Sequence, residues 1–310
     1  MTSLRCHVRK YKDFLDYCER LIGKPIYDVD KDPDKPFINA AQFKKIVSLL
    51  RTKKNIILEG APGVGKTFLA RKIAYQLIGE LKDENIEMVQ FHQSYSYEDF
   101  VQGIRPSEEG GFERKNGIFF DFCSKARRSP DQQFVFIIDE INRGNISKIL
   151  GELMMLIEAD KRKKQYAIKL TYSNEDDERF FVPENVYLIG CMNTADRSLA
   201  IVDYALRRRF RFISIKPEFN EAFISFLKEK GISQENAELV VSKVKAANEV
   251  ISCIDRGLEI GHSYFCQTDG CEDFSAWWND ICEYELFPYL HEICFDDEDK
   301  YELICNKLKF

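Results

Sequence analysis

No apolar run in this 310-residue sequence reaches the roughly 18 residues that a membrane-crossing helix needs, so no membrane association is expected. The start is not an apolar leader: Met1 to His7 turns charged at once, which argues against an export signal and for a cytoplasmic protein. Positive charge is not in excess. The 45 Lys and Arg stand against 51 Asp and Glu, a net charge of -6, whereas a protein held to DNA by its bulk charge is usually basic. Any nucleic-acid contact therefore needs a local patch. Proline and glycine are sparse, at 9 and 16 residues, and 45% of residues are hydrophobic, which excludes collagen-like, low-complexity and disordered classes. None of the ten cysteines forms a CxxC pair, so unpaired thiols in a reducing compartment are expected. His262, Cys266 and Cys271 lack the spacing of a zinc finger or ribbon and read as part of a helical bundle. No internal repeat is present.

What is there alternates. Short apolar runs at 55–59, 87–91, 134–138, 186–191 and 210–215 read as strands, and helical patterns fill the gaps, including 67–77 and 146–158. Strands alternating with helices predict an α/β fold with a parallel sheet covered on both faces. Residues 103–119, with Gly110 and Gly111 at the turn, and residues 166–182, with 173–177 at the turn, read as inserted hairpins. After Pro217 the strand signal fades. Helices are predicted at 221–229 and 236–251, then one through Trp277 and Trp278 to Glu292, then a last short one. The expected organisation is a short N-terminal helical segment (1–50), a nucleotide-binding α/β domain (51–216) and a helical lid (217–310).

The chemistry is carried by Gly60, Ala61, Pro62, Gly63, Val64, Gly65, Lys66 and Thr67, which fit G-x-x-x-x-G-K-[ST] between a strand and a helix. The glycines let backbone N–H groups turn inward around phosphate oxygens, beside the positive end of a helix. Lys66 is expected to bridge the β- and γ-phosphates and Thr67 to give Mg²⁺ its hydroxyl. Phe68, next along, is counted with the nucleotide contacts. The apolar run 134–138 ends in two acids. Asp139 is expected to hold Mg²⁺ through water, and Glu140 to orient and deprotonate the attacking water. Asn193, after another apolar strand, either bonds the γ-phosphate or lytic water or opens an Asx turn; Asp196 belongs to the same stretch and is a further nucleotide-binding candidate. Arg207, Arg208 and Arg209 close a helix. They read either as favourable charge at a helix C-terminus or as the source of an arginine finger reaching a neighbour's phosphates. Lys161 to Lys164 reads as a solvated charge run rather than a pore loop touching DNA or a partner's tail.

Over about residues 50–300 the sequence resembles the McrB family of AAA+ nucleotidases, motor subunits of modification-dependent restriction systems. The resemblance rests on the P-loop, Val89 to Pro106, Ile137 to Asn145 (with Asp-Glu-Ile-Asn-Arg-Gly), Met192 to Ala200 (with Met-Asn-Thr-Ala-Asp-Arg), Ala205 to Phe210, and Ile260 to Phe265 (Ile-Gly-His-Ser-Tyr-Phe). It implies a hexameric ring that prefers GTP, with ATP the alternative. The guanine-reading Asn-Lys-x-Asp of small GTPases is absent. By resemblance, Arg143 and one of Arg208 and Arg209 act across subunit interfaces. Asn142 responds to a McrC-like stimulating partner that carries the nuclease. The roughly 50 residues before the motor hold no aromatic or basic cluster suited to a flipped base, so DNA contact is expected through the complex. The alternatives are an ATP-driven protein remodeller and a nucleotide-dependent assembly switch.

Overall fold

Among the described residues seven strands form, in chain order β1 (Asn55–Gly60), β2 (Ile86–Gln90), β3 (Gln102–Pro106), β4 (Phe112–Asn116), β5 (Phe134–Asp139), β6 (Val186–Asn193) and β7 (Arg211–Ser214). The structure is a computed structural model and describes residues 27–108, 110–195, 204–268 and 273–309. Five strands make one sheet in the order β2-β5-β6-β1-β7, every neighbouring pair parallel. The fold is thus the expected α/β class, a parallel sheet flanked by helices with a helical lid after it. Asp196, the first 26 residues and Cys271 lie outside the described residues.

The central strands β5, β6 and β1 are almost wholly apolar because both of their faces are covered, whereas β2 and β7 at the edges of the sheet are partly exposed. Ile56, Leu58, Val135 and Ile137 meet Phe43, Leu50, Leu69 and Ile73 from α1 (Ala40–Lys53) and α2 (Lys66–Ile78). Ile57, Phe136, Ile138 and Leu188 face the other way. There they meet a layer built from α3 (Tyr97–Phe100), α4 (Ile118–Arg128), α5 (Ile146–Leu150) and α6 (Leu153–Leu156). Phe100 stacks on Phe119 at 4.9 Å, and Phe136 meets both edge-on. Each of Ile137 and Ile138, fully buried on opposite faces, contributes roughly 2 kcal/mol by leaving water. The cores end at the strand tips, which leaves the C-terminal ends of β1, β5 and β6 side by side with polar residues on them.

A short helix, α7 (Tyr204–Arg209), leads into β7. Beyond it α8 (Glu221–Glu229), α9 (Gln234–Ile254), α10 (Phe274–Ile281), α11 (Phe287–Ile293) and α12 (Glu298–Leu308) enclose their own core around Phe223, Val240, Val244, Trp278, Leu290 and Ile304. Among the described residues no helix is long and apolar enough to cross a membrane.

Four expectations are corrected. The helix expected over 146–158 is broken at Gly151, whose φ of +49° takes it out of the helical region. A Cβ there would lie 3.1 Å from the Tyr97 ring. The hairpin expected over 166–182 closes through a single bridge, Ile168 with Phe180, rather than two strands. Its turn is held by side chains, with Asp177 paired to Arg114 and accepting from Asn174 N at 2.6 Å. The helix through Trp277 and Trp278 widens into a π segment, Cys282–Leu286, before it continues as α11. Pro288 in the next turn has no N–H for an i−4 bond, and the Phe287 N–H reaches back five residues to Cys282 O. Finally, Lys161 to Lys164 is solvated at Lys163 and Lys164 but not throughout. Arg162 is buried to 1% exposure, its Nε donating to Ile157 O at 3.1 Å and its other nitrogens to Val186 O and Asn55 Oδ1.

Candidate nucleotide site

Residues 60–67 run from the tip of β1 into the first turn of α2. Gly63 and Gly65 sit at φ +75° and +70°, which glycine adopts without steric cost. Gly60 is needed for closeness instead: a Cβ there would fall 2.3 Å from Ile215 O at the end of β7. Ala61 and Val64 are buried and brace the loop from behind. Lys66 is 8% exposed, and its Nζ folds back to donate to Gly60 O at 3.0 Å and Ala61 O at 2.8 Å. Phe68, the third residue of the helix, is 44% exposed, with the Lys72 Nζ 5.0 Å from its ring.

Opposite the loop stands the tip of β5. Thr67 Oγ1 donates to Asp139 Oδ1 at 3.1 Å, and the Glu140 N–H donates to the same oxygen at 3.1 Å. Glu140 has φ +49°, a left-handed conformation that non-glycine residues adopt at a cost and that recurs at functional sites. The turn aims its carboxylate at β6. Asn193 Nδ2 donates to Oε1 at 2.5 Å, while Arg143 Nε donates to Oε2 at 3.1 Å. Asn193 sits there because β1 and β6 pair in register, Gly60 opposite Asn193. Asn142 is 6% exposed. Its Nδ2 donates to Asn193 O at 3.3 Å, whereas its Oδ1 finds no partner among the described residues, an orphan that asks for an explanation. Thr67 and Asp139 offer a hydroxyl and a carboxylate within hydrogen-bond distance of each other, the hard oxygen donors that suit Mg²⁺.

The lid closes over the loop from the other side. A Cβ on Gly261 would fall 2.1 Å from the Gly63 carbonyl carbon, and the Ser263 N–H donates to Gly63 O at 2.8 Å. The Tyr264 ring lies 3.0 Å from where a Gly63 Cβ would be. His262 is 8% exposed, and its Nδ1 accepts from Glu218 N at 3.1 Å. That contact fixes the neutral tautomer with its proton on Nε2, 3.4 Å from a Cβ position on Gly65. Burial pulls the His262 pKa down to about 4. This lid contact had a sequence signal in the stretch from Ile260 to Phe265, but nothing in the sequence told where that stretch would sit. Among the described residues no three metal-binding side chains cluster.

The site therefore gathers residues 60–68, Asp139, Glu140, Asn142, Arg143 and Asn193. It does not gather Arg208 and Arg209. The Arg209 carbonyl meets the side chain of Asn55 at the opposite end of β1, about 16 Å of strand from Gly60. Arg208 is 72% exposed there, donating from Nη2 to Glu158 at 2.8 Å. Arg209 is 13% exposed, with its Nη2 3.1 Å from the same carboxylate.

A family model described as an AAA domain (dynein-related subfamily) matches residues 55–210, and one described as the McrB alpha-helical lid domain matches residues 240–302. The EcoKMcrB subunit of a type IV methyl-directed restriction enzyme from Escherichia coli (strain K12) is 52% identical over 279 residues, covering 88% of this chain and 61% of that one. Component YdiS of the type II restriction enzyme BsuMI from Bacillus subtilis (strain 168) is 27% identical over 204 residues, covering 53% of this chain and 58% of that one. The chain thus spans about three fifths of the length of these relatives.

Proposed function

The chain belongs to the AAA family and carries the McrB-type helical lid, and from that premise we propose that it is a Mg²⁺-dependent nucleoside-triphosphate hydrolase driving a restriction complex. GTP is the proposed nucleotide, with ATP as the alternative. The observation that carries the reading is the contact of Thr67 with Asp139 across the mouth of the P-loop, with Glu140 beside it held by Asn193.

A triphosphate tail would take the backbone N–H groups of residues 63–67, at the start of α2, as its cradle. Lys66 exchanges the carbonyls of Gly60 and Ala61 for β- and γ-phosphate oxygens. Thr67 and Asp139 are the residues that hold the metal, which neutralises phosphate charge when bound. Glu140 accepts the proton of the attacking water, and Asn193 orients that water or the γ-phosphate. Each Glu140 oxygen accepts one hydrogen bond, from Asn193 and from Arg143, which fixes the carboxylate while leaving a lone pair on each oxygen to take the proton. The protein does little covalent chemistry; positioning and charge stabilisation supply the acceleration. An exposed arginine from a neighbouring copy completes the charge balance, which calls for a ring, proposed as hexameric. The two relatives named above are restriction-enzyme subunits, so the proposed partner is a nuclease-bearing, McrC-like subunit, with DNA engaged through the complex.

The test is phosphate release by the purified chain with GTP and with ATP, alone and with the candidate nuclease subunit. The expected result is GTP turnover that the partner raises, abolished in Lys66→Ala together with nucleotide affinity. Native nucleotide binding by Lys66→Ala, or ATP turnover that GTP does not compete away, would contradict the proposal.

A further inference from the structure

A second buried network lies at the N-terminal edge of the sheet, away from the P-loop. Arg162 spreads its guanidinium over Ile157 O, Val186 O and Asn55 Oδ1. Asn55 has no exposed surface, and its Nδ2 donates to Ile157 O at 2.8 Å and to Arg209 O at 3.0 Å. Lys53 Nζ donates to Arg208 O at 2.7 Å. Arg209 turns inward, its Nε donating to Met154 O at 2.5 Å, and Arg208 stays exposed with its Nη2 resting on Glu158 at 2.8 Å.

Burying a guanidinium is costly, and a well-packed apolar side chain usually serves stability as well. Among the described residues the hydrogen bonds of Arg162 run to neutral oxygens rather than to a carboxylate. A planar fork of N–H donors brings fixed geometry. It ties the segment after α6, the start of β6 and the start of β1 together, and Asn55 carries that fixed point to the last carbonyls of α7. We infer that Asn55 and Arg162 are positioning residues: they hold α7 so that Arg208 is presented to the nucleotide of the neighbouring copy, with Arg209 as its inward brace. The inference rests on the ring and trans-arginine reading proposed above, and it assigns the outward role to Arg208.

A subunit-mixing assay separates the two. Glu140→Gln has a dead site of its own but an intact arginine edge. Arg208→Ala and Asn55→Ala have the reverse. Each of these variants alone should turn over nucleotide at least about tenfold more slowly than the native chain, since misplacement of a charge-stabilising group is costly. Asn55→Ala should keep its nucleotide affinity within about twofold, because its P-loop is untouched. Mixed one to one with Glu140→Gln, Asn55→Ala and Arg208→Ala should each recover activity, because about a quarter of randomly formed head-to-tail interfaces pair a sound site with a sound arginine. Recovery with Arg208→Ala but not with Asn55→Ala overturns the positioning role and leaves the ring reading standing. Recovery with neither overturns both. Should Asn55→Ala melt too early to assay, Lys53→Ala removes only an exposed tie to the Arg208 carbonyl. It should lose about threefold in turnover and recover in the same mixture; unchanged turnover by Lys53→Ala would count against the inference.

Discussion

At the scale of single residues, Glu140 and His262 are each held in one state by identified neighbours. Glu140 sits at a left-handed φ with each oxygen accepting one hydrogen bond, a geometry kept for a task rather than for stability. His262 is neutral because burial opposes its charge, and it titrates only near pH 4 against 6.5 in the unfolded chain. Between those values the unfolded chain binds the extra proton. Stability is therefore intact above about pH 6.5 and falls as pH drops through the window, by about 3 kcal/mol in full. Urea unfolding at pH 7 and pH 4.5 should show native stability dropping about 2–3 kcal/mol more than that of His262→Gln. Equal drops in the two proteins would contradict the assignment. Residue identity was legible where a motif fixes it, as at Lys66, Thr67 and Asp139. It was not legible at Arg162, which sits in Lys-Arg-Lys-Lys and looks solvated. Two of its three partners, on Asn55 and Val186, lie 107 and 24 residues away in sequence.

At the scale of elements, the central strands β1, β5 and β6 were readable because each is a short, mostly apolar run buried on both faces and ending in glycine, an acid or asparagine. Several helices were readable in position but not in continuity. Gly151 breaks one because a positive φ and the Tyr97 ring act together, and Pro288 forces a π turn in another. The contact between lid and P-loop was invisible, since Gly261 and Gly63 lie some 200 residues apart and nothing local in either predicts the other. That contact makes a sharp demand. Gly261 has an ordinary φ of -78°, so alanine would suffer no backbone strain there, only the collision with Gly63 and Pro62. Gly261→Ala should lose about tenfold in nucleotide affinity by displacing the loop, measured by titration with a fluorescent nucleotide. An unchanged affinity would mean that the lid is free to back away.

For the whole molecule, the parallel sheet sets one set of strand tips against the P-loop and carries the exposed Arg208 at the far edge, the two features that the proposed ring would bring together between neighbouring copies. The lid couples the P-loop to its own core, since residues 261–264 touch the loop and Phe265 stacks on Trp278 at 5.8 Å. The chain has two tryptophans, Trp277 and Trp278, both on the lid helix α10, so nucleotide should shift tryptophan emission in the native chain and leave it unchanged in Lys66→Ala. An identical shift in both would place the response elsewhere. Whether a triphosphate sits between the P-loop and the acids at the tip of β5 is read out by Glu140→Gln, assayed for binding and turnover together. Nucleotide affinity is expected at or above native with turnover down about a hundredfold or more; turnover within a few-fold of native would overturn that placement.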